Sequence, residues 1–491
     1  MSEAPDVANS MWRYGMSLWR ALDRERLEFF EPFRIAAVIA FRAAREEPPS
    51  IPTWLRLLQY NATLLNKATW ANQQQLSDYL WDECQKGWQA WFNSLYGMEG
   101  ESFDEFAKRQ ADVMEGVANF HEQVEKVKDQ FGFHLRRPEY KLIKETPSFL
   151  MYQVLPLKSG VNVRDDIKPM LLVSPYMLGS HILSFLPYDD KSYAHAFANA
   201  GVPTYVRIVK DIWETESVQT LTPEDDCTET HELCTELVHR HGRKVTLNGT
   251  CQGGYMCLMN LLSGRYGDVC DTLITNVTPV DGTYSQAIYG LPQMNFDFFL
   301  SRMPNGNYVA NGYLLSLGMR LVAIDRETPL IQVINRARLY ETNGHSSKST
   351  AALFRWLRKE RVHLPPAIAK MSSISFQQPI GADGSLPVTL FGKPLKIGDL
   401  ATLGVRWYQN YAVKDDLVTP PCATAGNRFL EGSGLLESVP FPGGHVAILT
   451  SPHSKRSPVD GRFEAADGTI HRGPVLFQLE ISRPQAVMEV A

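Results

Sequence analysis

From Met11 to about Phe131, apolar residues recur at helical spacing. Trp81, Trp88 and Trp91, with Leu95, fall at intervals of three, four and seven, the period of one helix face. Helix-breaking residues interrupt the stretch at Pro48-Pro49-Ser50-Ile51-Pro52 and at Gly97–Gly100. The pattern predicts four or five helices in an N-terminal region, residues 1–137. Such a region either packs as a bundle on itself and on the domain that follows, or offers its many aromatics as a surface for dimerisation or docking.

From about Pro138 the period changes. Met170-Leu171-Leu172-Val173-Ser174 is a continuous apolar run ending at Pro175, and Pro203–Ile208, Lys244–Asn248 and Thr272–Val277 are similar short runs. Helical stretches separate them, which is the alternation of a mostly parallel sheet. An interval of about 282–385 lacks it and carries Asn, Gly and aromatic residues, among them Phe296, Phe298, Phe299 and Tyr313. The alternation resumes at Gly404–Asn410. An insertion at that point in a sheet reads as a lid over a site. The expected class is therefore α/β. An α/β-hydrolase-like, mostly parallel sheet with a lid insertion occupies residues 138–491, preceded by the α-helical N-terminal region.

Composition narrows the partners. A net charge of −5 gives no basic field for nucleic acid. The seven cysteines include no C-x-x-C pair and an odd one, so neither a structural zinc site nor a disulfide framework is expected, and a reducing cytoplasm is. The first residues lack a secretory signal, and the apolar stretch Phe33–Phe41 is too short to span a bilayer. The reading is a cytoplasmic protein with no transmembrane segment.

The strongest local motif is Asn248-Gly249-Thr250-Cys251-Gln252-Gly253-Gly254, after one predicted strand and before a helical run. Glycines two positions either side of Cys251 permit the sharp turn that exposes a nucleophile, and the backbone N–H of Gln252 then points at a developing oxyanion. A helix N-terminus also favours a thiolate. Alone, Gly-x-Cys-x-Gly is a weak pattern, and most cysteines are small buried apolar residues. Two later features strengthen it. Lys414-Asp415-Asp416-Leu417 places carboxylates after the resumed strand, and Phe441-Pro442-Gly443-Gly444-His445 places a histidine on a glycine-rich turn. Nucleophile, acid and histidine follow in the α/β-hydrolase order. Asp415 comes first after the strand and is the expected acid; Asp416 is the alternative and could instead cap the next helix. His181 and Asp281 lie near strand ends and could line the pocket. The other six cysteines have no comparable setting.

On these residues the sequence resembles the polyhydroxyalkanoate synthases, cysteine enzymes of α/β-hydrolase fold that polymerise 3-hydroxyacyl-CoA thioesters. The resemblance runs from about Arg136 to about Arg456. Gly249-Thr250-Cys251-Gln252-Gly253-Gly254 looks like the family's lipase-like box with cysteine as nucleophile. Leu172–Leu183, Thr278–Asp281, Asp415-Asp416-Leu417-Val418 and Gly444-His445-Val446 are similar to further family segments. The family has His where Asp416 stands, and its lid matches 295–370 poorly. The resemblance implies Cys251 as nucleophile, His445 as base and Asp415 as the acid that orients it. It also implies a 3-hydroxyacyl-CoA substrate, a polyester granule surface as partner and no cofactor. Water as acceptor would instead make the chain a thioesterase or intracellular depolymerase. A non-catalytic granule-associated protein is the remaining alternative, against which the complete trio argues.

Overall fold

The computed structural model describes residues 4–46, 50–285, 296–343 and 347–482. Among these, two compact units separate. One holds the described residues up to Lys128 together with Tyr313–Arg355; the other holds Asp129–Gly312 and the chain from Trp356 on.

The second unit is built on eight strands: β1 (Tyr140–Glu145), β2 (Phe149–Val154), β3 (Met170–Val173), β4 (Thr204–Val209), β5 (Val245–Thr250), β6 (Cys270–Asn276), β7 (Arg406–Ala412) and β8 (Leu436–Phe441). Their order in the sheet is β1-β2-β4-β3-β5-β6-β7-β8. β2 runs antiparallel to both of its neighbours, and every other pair is parallel. That order and direction define an α/β-hydrolase fold. Every residue of β3 and β5 is buried, as expected of central parallel strands covered on both faces. The expected strands at 170–174, 203–208, 244–248, 272–277 and 404–410 are all present, within two residues or so at each end.

Register sets where the chemistry can occur. Val173 lies opposite Gly249, Thr250 opposite Asn276, Asn276 opposite Asn410, and Ala412 opposite Phe441. The loops after β3, β5, β6, β7 and β8 therefore leave from one edge, the carboxyl edge at which open α/β sheets bind ligands. A ladder of buried amides holds that register. Asn276 Nδ2 donates to Asn248 Oδ1 at 2.9 Å, and Asn410 Nδ2 donates to Asn276 Oδ1 at 3.0 Å. Sliding any of the three strands would leave an amide unpaired in the core, at a cost of about 1–3 kcal/mol for each group.

In the first unit the described residues to Lys128 form four helices, α1 (Ala4–Glu46), α2 (Ile51–Tyr96), α3 (Phe103–Ala118) and α4 (Phe120–Lys126). The breaks fall at the proline stretch and the glycine turn. A capping box of Ser102 and Glu105 starts α3. The tryptophan stripe of α2 is not buried against this bundle: Trp81 is 67% exposed and Trp88 61%. The helices do pack on one another, burying Ala21, Tyr79, Val113, Met114 and Val117 together, but the tryptophans take no part in that core.

The insertion also departs from expectation. Of the interval 282–385, residues 313–355 belong to the compact unit of the N-terminal helices, Tyr313 among them, so the interval is not one continuous piece of the sheet unit. The helix Pro329–Asn343 buries Val333, Ile334, Ala337 and Tyr340 against Ala21, Tyr79, Val113, Met114 and Val117. Arg336 ion-pairs with the buried Glu25 and lies over the rings of Phe120 and Phe354. Gly116 leaves room for the Tyr340 ring, which an added Cβ would strike. In the sheet unit Phe299 is buried, whereas the Phe298 side chain and residues 286–295 lie outside the described residues. Among the described residues no helix is long and apolar enough to cross a membrane.

Candidate active site

β5 ends in a strand-to-helix turn that only this glycine pattern permits. The helix α5 (Gln252–Leu262) begins directly after Cys251, whose backbone adopts φ 51°, ψ −122°. A side chain held at positive φ costs about 1–3 kcal/mol and persists only where its surroundings enforce it. Here they do. A Cβ on Gly249 would lie 2.4 Å from the Gly254 Cα, one on Gly253 2.4 Å from the Val173 carbonyl, and one on Gly254 would overlap the Thr278 hydroxyl. The Cys251 amide is tied to the Asn276 carbonyl at 2.8 Å. The turn lifts the thiol out of the sheet while its neighbours stay packed.

The loops after β7 and β8 bring the other two residues to it. Lys414 N–H donates to the Gly443 carbonyl at 2.9 Å, which continues the β7–β8 pairing beyond the strands and holds the two loops together. Asp415 is buried, and its Oδ2 lies 2.7 Å from His445 Nδ1. Its Oδ1 accepts from the Leu417 and Val418 amides, both at 2.9 Å. Asp416 is exposed. Of the two candidate acids the structure places Asp415, not Asp416, against the histidine.

With Nδ1 engaged by the carboxylate, Nε2 is the ring nitrogen left to exchange a proton, and the Cys251 sulfur lies near enough to act on the imidazole's charge. Desolvation lowers the imidazole pKa, but the charge and hydrogen bond of the Cys251 sulfur and the Asp415 carboxylate outweigh it. The net effect raises His445 to about 10. The surroundings therefore favour a proton on the imidazole, as a base for the thiol requires. Such an arrangement can attack a carbonyl through sulfur and return a proton to a leaving group.

The expected oxyanion donor, the Gln252 N–H, is the first amide of α5, where a helix leaves its N–H groups without intrahelical acceptors. Sequence reasoning missed the second half of this corner. The loop after β3 presents the amides of Tyr176 and Met177, which donate to Gln252 Oε1 at 3.1 and 3.4 Å. Gln252 Nε2 donates to Ser372 Oγ at 2.6 Å, on the helix α6 (Pro366–Gln377). The available signal was Pro175 just after the β3 run, which has no N–H of its own and leaves the loop's next donors to Tyr176 and Met177.

The two other pocket candidates take different parts. Asp281 is buried with both oxygens occupied, Oδ1 by the Thr283 amide and hydroxyl and Oδ2 by the Ile380 amide, so it fastens the two ends of the insertion. His181 Nδ1 accepts from the Phe133 amide. Cys227, Cys234, Cys257, Cys270 and Cys422 are buried, and Cys84 is exposed on the helical unit, away from the elbow in the chain. Burial pushes the Cys422 thiol up, and nearby Asp281, Cys251 and Asp415 reinforce the shift, so it stays protonated close to the site.

No family model matches the chain, and neither does any curated protein. Solved structures do show likeness. The thioesterase domain from the curacin biosynthetic pathway is 12% identical with a TM-score of 0.35, over 63% of this chain and 94% of that one. The naproxen esterase from Bacillus subtilis is 12% identical with a TM-score of 0.34, over 69% of this chain and 94% of that one. Brefeldin A esterase, a bacterial homologue of human hormone-sensitive lipase, is 13% identical with a TM-score of 0.32, over 68% and 80%. The fold rests on the strand order and not on these likenesses.

Proposed function

We propose that this chain is an acyltransferase of the polyhydroxyalkanoate synthase type, which polymerises 3-hydroxyacyl-CoA through an acyl-enzyme on Cys251. The observation that carries the reading is the buried Asp415 carboxylate held 2.7 Å from His445, beside an elbow that presents a half-buried cysteine. His445 takes the thiol proton, and the thiolate attacks the thioester carbonyl, whose oxyanion meets the Gln252 N–H. The CoA sulfur then leaves with the proton from His445, and exchange of one thioester for another is nearly isoenergetic. The hydroxyl of the next unit gives its proton to His445, attacks the acyl carbon and releases Cys251 as thiolate. No cofactor enters these steps.

A thiol suits an acyl group that must wait for an alcohol, whereas water as acceptor would make the chain a thioesterase. The seating of α6 beside the elbow, through Ser372 and through Phe376 against Gly282, supports an acceptor site closed to water on that side. We assign the exposed tryptophans of α1 and α2, Trp12, Trp19, Trp81 and Trp88 among them, to docking on the polyester granule. Incubation with 3-hydroxybutyryl-CoA tests the acyl-enzyme directly. Intact-mass analysis should find one hydroxybutyryl adduct or a longer ladder on Cys251, with CoA released. A thioester consumed without any adduct at Cys251 would contradict the reading.

A further inference from the structure

Pro175 has no N–H, and the two residues after it, Tyr176 and Met177, supply the next amides of the loop after β3. Both already donate to one atom, Gln252 Oε1. That oxygen belongs to the residue next to the nucleophile, whose own amide is the expected oxyanion donor, so it holds amides of the loop that faces the elbow. The other end of the same side chain donates to Ser372 Oγ, and the Ser372 hydroxyl donates to the Ile368 carbonyl at 3.1 Å, within α6.

We propose that the Gln252 carboxamide is a displaceable latch: it occupies the loop side of the oxyanion pocket in the resting protein and ties that pocket to α6 through Ser372. A carbonyl oxygen entering the pocket takes over the Tyr176 amide, and the carboxamide swings away and releases α6. The inference rests on the acyl-enzyme reading of the site, and it adds a reason why the residue after the nucleophile carries a long amide side chain.

The loop has other anchors, so removing the carboxamide opens the pocket without collapsing it. Tyr176 Oη donates to Asp226 Oδ2 at 2.5 Å, and Asp226 is paired at 2.6 Å with Arg207; all three are buried. Trp356 Nε1 donates to the Leu178 carbonyl at 3.0 Å. Gly253 packs its Cα against the Val173 and Ser174 carbonyls. The latch itself amounts to three neutral hydrogen bonds, from Tyr176, from Met177 (weak) and to Ser372, which a charged oxyanion with its stronger hydrogen bonds can displace.

The test uses the full chain and butanal, which needs an oxyanion pocket but no acyl transfer. The Cys251 thiolate adds to the aldehyde carbon, the carbonyl π pair moves on to oxygen, and that oxygen takes the His445 proton. Binding is read as protection of Cys251 from iodoacetamide, located by peptide mass. Ser372→Ala should tighten butanal binding about threefold and Gln252→Ala about tenfold, the scale of one neutral hydrogen bond. Ser372→Thr keeps the hydroxyl and should match wild type. In a Gln252→Ala background, Ser372→Ala should add nothing. Weaker binding in either single variant, or a Ser372→Ala effect that survives in the double variant, overturns the latch, as does a wild type that butanal does not protect. CoA release from 3-hydroxybutyryl-CoA, run alongside, separates the two ideas. Tightened butanal binding without CoA release leaves the latch standing and removes the acyl-CoA reading. CoA release with unchanged butanal binding removes the latch alone.

Discussion

Asp415→Asn is the substitution whose outcome the geometry determines most closely. Oδ1 of Asp415 accepts from two backbone amides, Leu417 and Val418, each at 2.9 Å. An asparagine at this position must turn its carbonyl oxygen to those amides, because its NH2 there would face two donors. The NH2 then faces His445 Nδ1 across the present 2.7 Å contact and makes that nitrogen an acceptor. The ring proton is forced to the nitrogen facing Cys251, so the neutral imidazole can no longer take the thiol proton. In a serine triad the corresponding change costs about 10⁴ in kcat. A free thiol is already a few per cent ionised at neutral pH, so the loss here should be smaller, about 10²–10³ in CoA release. The pH profile should change as well. Wild-type His445 is raised to about 10, so it stays protonated from its ordinary value of 6.5 up to that pH and loses the proton only above it. The alkaline limb of CoA release should fall near pH 10 in wild type and at a markedly lower pH in Asp415→Asn. Asp416→Asn, at an exposed position, should stay within about twofold of wild type. A loss below tenfold in Asp415→Asn, or a greater loss in Asp416→Asn, would refute this argument.

Cys251→Ala should abolish the acyl adduct and leave the thermal transition near that of wild type, since the thiol at the turn is only half-buried; Cys251→Ser should retain only weak activity, because a hydroxyl ionises far less readily. Arg336→Met should destabilise the helical unit by about 3–5 kcal/mol, the cost of stranding the buried Glu25, towards the lower end because His121 Nε2 remains 2.8 Å from it; a denaturation midpoint unchanged from wild type would refute that pairing. Trp81→Gln with Trp88→Gln should leave CoA release intact and reduce sedimentation with polyester granules severalfold; undiminished sedimentation would place the docking surface elsewhere.

The central strands and the turns beside them could be read from the sequence because their signals are local. A buried parallel strand is a short apolar run, and the elbow and the histidine turn announce themselves by glycines. What depended on pairing was not legible. β1 reads Tyr140-Lys141-Leu142-Ile143-Lys144-Glu145, with only Tyr140 fully buried, and its partner is supplied by β2 across a tight hairpin. β8 contains Pro440, which argues against a central strand and fits the edge position that β8 occupies, paired with β7 alone. Asn248, Asn276 and Asn410 look like ordinary strand-end polar residues until the register joins them in a ladder. The choice of Asp415 over Asp416 was offered by position and is made in three dimensions by the Leu417 and Val418 amides. Residues 313–355 misled because their helices show an apolar face without showing which unit it covers. The Gln252 side chain was invisible because its partners, Tyr176, Met177 and Ser372, lie 75 or more residues away in sequence.

Asp415 and His445 beside a thiol serve a hydrolase as well as a polymerase, so the fate of the acyl group tests the central claim most directly. Purified chain given 3-hydroxybutyryl-CoA should release CoA while most hydroxybutyryl units are recovered as oligomer or polymer, part of it attached to Cys251. Recovery of those units chiefly as free 3-hydroxybutyrate, in step with CoA, would contradict the account and make the protein a thioesterase.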